Sequence, residues 1–546
     1  YDVSSCPTLC MDGQCVECAP GVTRCDGDMV EVCKEDGSGW KNDQNCWEEG
    51  AGLICLAGEC IDACAWSLKL NTNVGCEYWA VDLDQTEPGG DSPFAIVVSN
   101  VHESDPSQVS VYRNGVLVAE AEIAPSSLEI FNVAPNNVVG TMKTNNAFRI
   151  RATRPIVAYQ FNPLENIGVF SNDASMLIPS NSLGTSYRVL GWPSSLGGFD
   201  AYVTVVATTD NTEVTLEVTA PTSQGVGSIP ELAAGESWTT ALNAGQVLSV
   251  ETSSWGGDLS GSLVTANKPI AVFSGHQCAN VPDTTACVAG ACQFAPGWSC
   301  GSPLDCPILC CCDHLEEQLF PIAAWGKTYV GARSTRRGQE NEHWRLVAAE
   351  DDTSVVLIPP VAVIPSLEAG EVVDFAAKGS FFLESDKPVL LGQFLAGEYA
   401  PGVDVGTCES GSCTNMVQSC SADQQCVGDA EPGDAGIGDP AFALAVPVEQ
   451  LRDEYIFLVP NKYEADHLAI YAPADTSISL DGVSVDAEPW ESIAEGWKVL
   501  HLPVVDGVHH LKGDQAFGVL VHGFDSFVSY AYPAGMNLGG LGVNPP

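Results

Sequence analysis

The sequence predicts an all-β protein: four tandem β-sandwich-like repeats with disulfide-rich insertions, behind a small N-terminal cysteine-rich module. Three observations predict it. From Ala65 onward, short runs of Val, Ile, Tyr, Thr and Phe alternate with polar residues and are cut by Gly and Asn/Asp turn signals. Three phrases recur in one order along that stretch. The 23 cysteines of the 546-residue chain cluster in a few places and do not spread evenly. A closed, propeller-like ring of the same repeats is the alternative arrangement.

Residues 1–65 hold Cys6, Cys10, Cys15, Cys18, Cys25, Cys33, Cys46, Cys55, Cys60 and Cys64, with few apolar residues between them. So small a segment has little core, and cross-links are expected to hold it. Cys15-x-x-Cys18 also has the spacing of a zinc or redox pair. Zinc ligands come as matched pairs, however, and the module has no histidine, which favours disulfides. The connectivity stays open.

The first recurring phrase reads Val74-Gly75-Cys76-Glu77-Tyr78, Leu183-Gly184-Thr185-Ser186-Tyr187, Trp325-Gly326-Lys327-Thr328-Tyr329 and Leu451-Arg452-Asp453-Glu454-Tyr455. Pro179, Pro321 and Pro447 precede its last three copies. The second is a turn leading into an alternating strand, as in Asn211-Thr212-Glu213-Val214-Thr215-Leu216. The third closes each unit with a proline and an apolar run: Arg154-Pro155-Ile156-Val157, Lys268-Pro269-Ile270-Ala271 and Lys387-Pro388-Val389-Leu390. Its last copy, Gln515-Ala516-Phe517-Gly518, lacks the proline. Proline at the first position of a buried strand forfeits no ladder donor. These phrases set repeats at 66–172, 173–314, 315–440 and 441–546. Helical periodicity is confined to two short candidates, Glu316 to Leu319 and Pro447 to Glu454.

The closing strand of the second repeat leads into an insertion with Cys278, Cys287, Cys292, Cys300, Cys306, Cys310, Cys311 and Cys312. That of the third leads into one with Cys408, Cys413, Cys420 and Cys426. Insertions at equivalent points of successive repeats emerge on one face, and cross-linked loops on a rigid scaffold are where recognition is carried. Protection from proteolysis is the competing explanation. Cys76 is left over. It is expected to be a buried, unpaired thiol, with pairing into the N-terminal module or to a second chain as alternatives.

The stretch Ser274-Gly275-His276-Gln277-Cys278-Ala279-Asn280-Val281-Pro282, followed by Cys312-Asp313-His314-Leu315-Glu316-Glu317-Gln318, carries a family resemblance. It resembles the N-terminal domain family of the mucus IgG Fc-binding protein, whose related domains occur in secreted and surface proteins of bacteria, particularly myxobacteria. The resemblance runs from Trp66 to the end of the chain. It implies an interaction module whose family motif is Cys312, Asp313, His314, Glu316, Glu317 and Gln318. Asp313 and His314 are expected to tie the loop to the repeat through hydrogen bonds. Thr23-Arg24-Cys25-Asp26-Gly27-Asp28 with Glu31-Val32-Cys33 resembles modules at the front of myxobacterial surface lipoproteins, which implies a stalk near a lipid anchor upstream of Tyr1.

With 70 acidic against 22 basic side chains, the formal charge is −48. That excludes phosphate backbones and anionic lipid surfaces as natural partners, and leaves cations and basic protein surfaces. No apolar run approaches the ~18 to 20 residues of a membrane helix. No signal peptide precedes Tyr1, so a mature form is expected. No Asn-x-Ser/Thr signal occurs, which leans towards a bacterial source. The cysteines place the chain in an oxidising compartment, extracellular or at the cell surface.

Catalytic signatures are absent. No nucleophile elbow, zinc-protease helix or phosphate loop occurs, and His509-His510, being neighbours in a strand, point to opposite faces. No enzyme and no cofactor is expected. Calcium is the candidate ion, at Asp82, Asp84 and Asp91 or at Asp26 and Asp28. Trp40, Trp47, Trp66 and Trp79 near the module boundary suit either a glycan-stacking surface or packing. The expected function is non-enzymatic binding or adhesion to an extracellular protein or glycan through the disulfide-rich loops. A self-associating subunit of a surface layer, filament or appendage is the first alternative, and a divergent extracellular hydrolase the second.

Overall fold

A computed structural model of the chain describes residues 9–11, 14–50, 52–69, 71–86, 89–102, 104–164, 169, 171–194, 198–282, 287–288, 290–292, 295–301, 312–338, 340–398, 408–409, 412–413 and 437–539. The architecture is almost entirely antiparallel β, in several sheets, with a disulfide-rich N-terminal region.

In that region, Cys18–Cys33, Cys25–Cys55 and Cys46–Cys60 cross-link short hairpins such as Thr23–Asp26 with Met29–Cys33. Cys76 corrects the sequence expectation: it is bonded to Cys64. The short helix Ala63–Ser67, capped by the Asp62 carboxylate on the Ala65 N–H, brings Cys64 to the first strand of the β body. An even set of cysteines within 1–65 suggested a closed group, and the helix instead directs one of them outward. The side chains of Cys6, Cys10, Cys15, Cys287, Cys292, Cys306, Cys310, Cys311, Cys408, Cys413, Cys420 and Cys426 lie outside the described ones.

The β body repeats one strand order. An inner strand pairs with a long closing strand, that with a third, and that with a fourth. The sets are Ala174–Met176, Phe148–Phe161, Phe94–Asn100 and Leu128–Val133; then Asp313–Gln318, Ile270–Ala279, Ala201–Ala207 and Val247–Glu251. They continue with Phe442–Leu444, Phe381–Phe394, Glu342–Ala348 and Val372–Ala377, and end with Val528–Pro533, Gly507–Asp525, Ala465–Pro473 and Trp497–Pro503. The third strands Phe94–Asn100 and Ala201–Ala207 read as nearly continuous apolar or small-residue runs because both their faces are covered.

Each opening strand carries the tyrosine of the first recurring phrase, and each tyrosine is buried. Tyr78, Tyr187, Tyr329 and Tyr455 donate their hydroxyls to the carbonyls of Ile156, Ile270, Val389 and Phe517, at 2.5 to 2.8 Å. A buried phenol needs such a partner, and the acceptor is always on the closing strand. Tyr329→Phe is therefore expected to cost about 1–3 kcal/mol, because it leaves the Val389 carbonyl without this donor; thermal unfolding against the parent chain measures it. The glycines of the phrase serve a second contact. A Cβ on Gly75, Gly184 or Gly326 would collide with Pro179, Pro321 or Pro447, the proline that opens the following copy.

The helix expected from Glu316 to Leu319 is instead the strand Asp313–Gln318, and only the 3-10 turn Val448–Gln450 forms between Pro447 and Glu454, ahead of a strand from Arg452. Pairing on a central sheet overrides the helix preference of Glu and Leu. The inner strands pack on one another: Ala174–Met176 lies against Asp313–Gln318 and Val528–Pro533, and so does Phe442–Leu444. The two ends of the β body also meet. Thr72 bridges Asn537, the Asn73 N–H donates to the Met536 carbonyl, and the Leu538 N–H donates to the Asn71 carbonyl.

Candidate functional site at the family motif

Asp313, His314, Glu316, Glu317 and Gln318 are all essentially fully buried. The strand they form lies where the inner strands meet, so no substrate or partner reaches them. Their hydrogen bonds explain the composition. Asp313 accepts the N–H groups of Asn172 and His314 at 2.7 and 2.8 Å, and that of Ser529 at 3.4 Å. Asp173 accepts from Ala174, Glu316 and Phe442 at 2.9, 3.1 and 3.0 Å. Ala174, Glu316 and Phe442 each stand five residues before their copy's proline, Pro179, Pro321 or Pro447, so one carboxyl gathers three equivalent amides. Gln318 Oε1, on the side chain, accepts from the Ile178 N–H at 2.8 Å, and the Gln318 backbone N–H donates to Ser175 Oγ at 2.7 Å. Asp173 and Ser175 escaped sequence reasoning; the fixed offset from the proline was the signal that would have found Asp173.

Burial sets the protonation here. It pushes the carboxyls of Asp173, Asp313, Glu316 and Glu317 well above the usual range, and neighbouring carboxyls add to it for Asp173, Asp313 and Glu317. Asp439 rises to about 8 for the same reason. His276 and His314 are driven down to about 3, again by burial, so both imidazoles are neutral at neutral pH. His314 as a general base oriented by Asp313 is thus not what the geometry offers: Asp313 holds backbone amides, and His314 Nε2 stands 3.4 Å from Glu316 Oε2.

The calcium candidates separate. Asp82 Oδ2 accepts from the Asn136 N–H at 2.6 Å, and Asp84 Oδ2 from the Gly140 N–H at 2.7 Å, both carboxyls being buried; Asp91 stands exposed on the 3-10 turn Gly89–Asp91. Burial raises Asp82 to about 7, and burial with the nearby Asp84 raises Glu251 to about 9. Asp26 is exposed, whereas Asp28 joins His102 and Asp105, with one ligand atom from each lying within 4.8 Å of the others. These three residues can coordinate a metal ion. The fully buried Arg154 guanidinium sits 2.8 Å from Asp28 Oδ2 and also donates to the Leu53 carbonyl, so it joins the cysteine-rich region to the β body.

Among the tryptophans, Trp40 lies under Arg24 and Trp66 under Lys69, while Trp79 is buried in the β body; the Trp47 side chain lies outside the described ones. His509 and His510 diverge as expected of strand neighbours, one onto Asp481 and the other onto Glu454, each at 2.7 Å. Cys278–Cys312 joins the start of the family stretch to its motif, across the first insertion. No helix among the described residues is long and apolar enough to cross a membrane.

The chain is in class a disulfide-rich, all-β scaffold whose signature residues are internal struts. The model of the family described as IgGFc binding protein matches residues 173–523, more than half of the sequence, and the chain belongs to that family, whose domains are non-enzymatic binding modules. A human protein named IgGFc-binding protein is 23% identical over 447 residues, which is 80% of this chain and 7% of that relative.

Proposed function

We propose that the chain is an extracellular or cell-surface binding and adhesion module, built as a ring of four β units at 66–172, 173–314, 315–440 and 441–546, with residues 1–65 as a braced stalk. The glycine–proline contacts between successive copies, the mutual packing of the inner strands and the pairing of Thr72 with Asn537 support the ring.

One observation carries the binding function. The feet of the two cysteine-rich insertions stand side by side, with the Gly397 N–H donating to the Val281 carbonyl at 2.7 Å. The first insertion is also pinched at its base by Cys278–Cys312. The two insertions leave the scaffold from neighbouring points, and loops carried on a rigid scaffold are where recognition of a protein or a glycan concentrates. Chains in which residues 283–311 or 399–436 are replaced by a short Gly/Ser linker are expected to melt within a few degrees of the parent, and to lose its hits on a glycan array and a panel of extracellular proteins. Unchanged hits in both loopless chains would sink the proposal.

A second reading, assembly with further copies, is favoured by the strand Val116–Ile123. It lies at the edge of its sheet and exposes Val116, Leu117 and Val118.

A further inference from the structure

Where the first unit meets the second, a cavity of about 360 Å3 is lined by Trp79, Tyr112, Asn114, Arg149, Arg151 and Gly245, among others. Its charge runs against that of the whole chain. Two of the 22 basic side chains line it and none of the 70 acidic ones does.

The strand register builds it. Trp79 stands directly opposite Arg149, and Arg149 directly opposite Tyr112, so the three side chains form a lateral line on one face of three adjacent strands. The Arg149 guanidinium is 5.5 Å from the Trp79 ring. Trp79 is only 4% exposed, and its Nε1, like Nε of Arg149, is buried without a hydrogen-bond partner among the described residues. Both rims are fixed turns: Asn114 and Gly115 have φ of 51° and 76°, and Gly245 has φ of 79°. A Cβ on Gly245 would approach the Trp79 ring to 3.3 Å, so glycine lets this rim close on the indole.

We propose that this cavity binds a sugar residue carrying one carboxylate. The guanidinium groups of Arg149 and Arg151 match a carboxylate in a way that lysine would not. Tyr112, half-buried, offers an apolar wall with a polar tip for the ring, the nearly buried Trp79 backs Arg149, and the volume lies at the small end of ligand sites. Glu77 is the internal competitor: its Oε2 lies 2.5 Å from Arg149 Nη2 and 3.7 Å from Arg151 Nε. The proposal rests on the extracellular binding role for its ligand class, and on neither insertion for its site.

The test is a titration of the full chain with glucuronate and with glucose at neutral pH, read by ligand-observed NMR. Saturable binding of glucuronate, none of glucose, and weakening with added salt are expected. Arg151→Gln, at an exposed side chain, should weaken glucuronate by about tenfold or more, as should Arg149→Gln, whereas Glu77→Gln should tighten it by freeing both arginines. The loopless chains should bind glucuronate like the parent, which separates failure of this site from failure of the insertion face. Equal responses to glucuronate and glucose, competition by acetate at equal strength, or an Arg151→Gln chain that binds unchanged would each overturn it.

Discussion

Between pH 7 and pH 9 the folded chain is expected to lose stability steadily. The cause is internal. Asp173, Asp313, Glu316 and Glu317 are pushed far above the usual carboxyl range by burial, with Asp439 at about 8 and Glu251 at about 9. Each binds its proton more tightly folded than unfolded, so its contribution is complete below the unfolded carboxyl pKa and is lost as pH rises through the folded one. His276 and His314, lowered to about 3, act in the opposite sense, but only below the ordinary histidine pKa of about 6.5. Above that point the carboxyls act alone, each costing up to about 1.4 kcal/mol per pH unit while it titrates. Thermal unfolding at half-unit steps from pH 6 to pH 9 should show a falling midpoint, with a shallower fall in Glu251→Gln. A flat profile would mean that the buried carboxyls do not carry these protons.

Arg333→Met is expected to be the most damaging single substitution, at about 3–5 kcal/mol. Arg333 and its partner Glu340 are both 2% exposed at the side chain, with Nη2 to Oε1 at 2.9 Å, and Glu342 lies 3.9 Å away. The same guanidinium donates to the carbonyls of Ser334, Glu340 and Lys378. Removing it leaves the buried Glu340 carboxylate without its counter-charge and takes a donor from the Ser334 and Glu340 carbonyls, while the Lys378 carbonyl keeps Arg336. Replacing both members, Arg333→Met with Glu340→Met, should recover part of the loss, because no charge is then left alone. Denaturant unfolding of the two single variants and the double variant measures the coupling. Additive losses would show that the pair does not act as a unit.

Much of the scaffold could be read ahead of the coordinates, because its devices are local. The phrase that ends in tyrosine records a contact made in all four copies, and the proline at a fixed offset records one made between successive copies. What escaped was non-local. The three acidic residues of the family motif lie in a buried strand, against the ordinary rule that Asp and Glu stay outside unless paired. The formal charge of −48 likewise treats every carboxyl as ionised, which the internal ones are not. Trp79 was noticed for its ring, but its relation to Arg149 depends on the register between strands about 70 residues apart, which no local pattern records. The pairing of Cys76 failed for a related reason: evenness of a cysteine set says nothing about which member turns outward.

The Cys64–Cys76 bond has a mechanical consequence. Residues 71–73 run antiparallel to 536–538, so tension on the two chain segments leaving this seam would peel it from one end, one hydrogen bond at a time. The disulfide spans that stretch. A pull arriving through the cysteine-rich region passes from Cys64 directly into the strand Gly75–Ala80, and the seam beside it stays slack. While the disulfide stays oxidised, this seam is thereby taken out of the line of force.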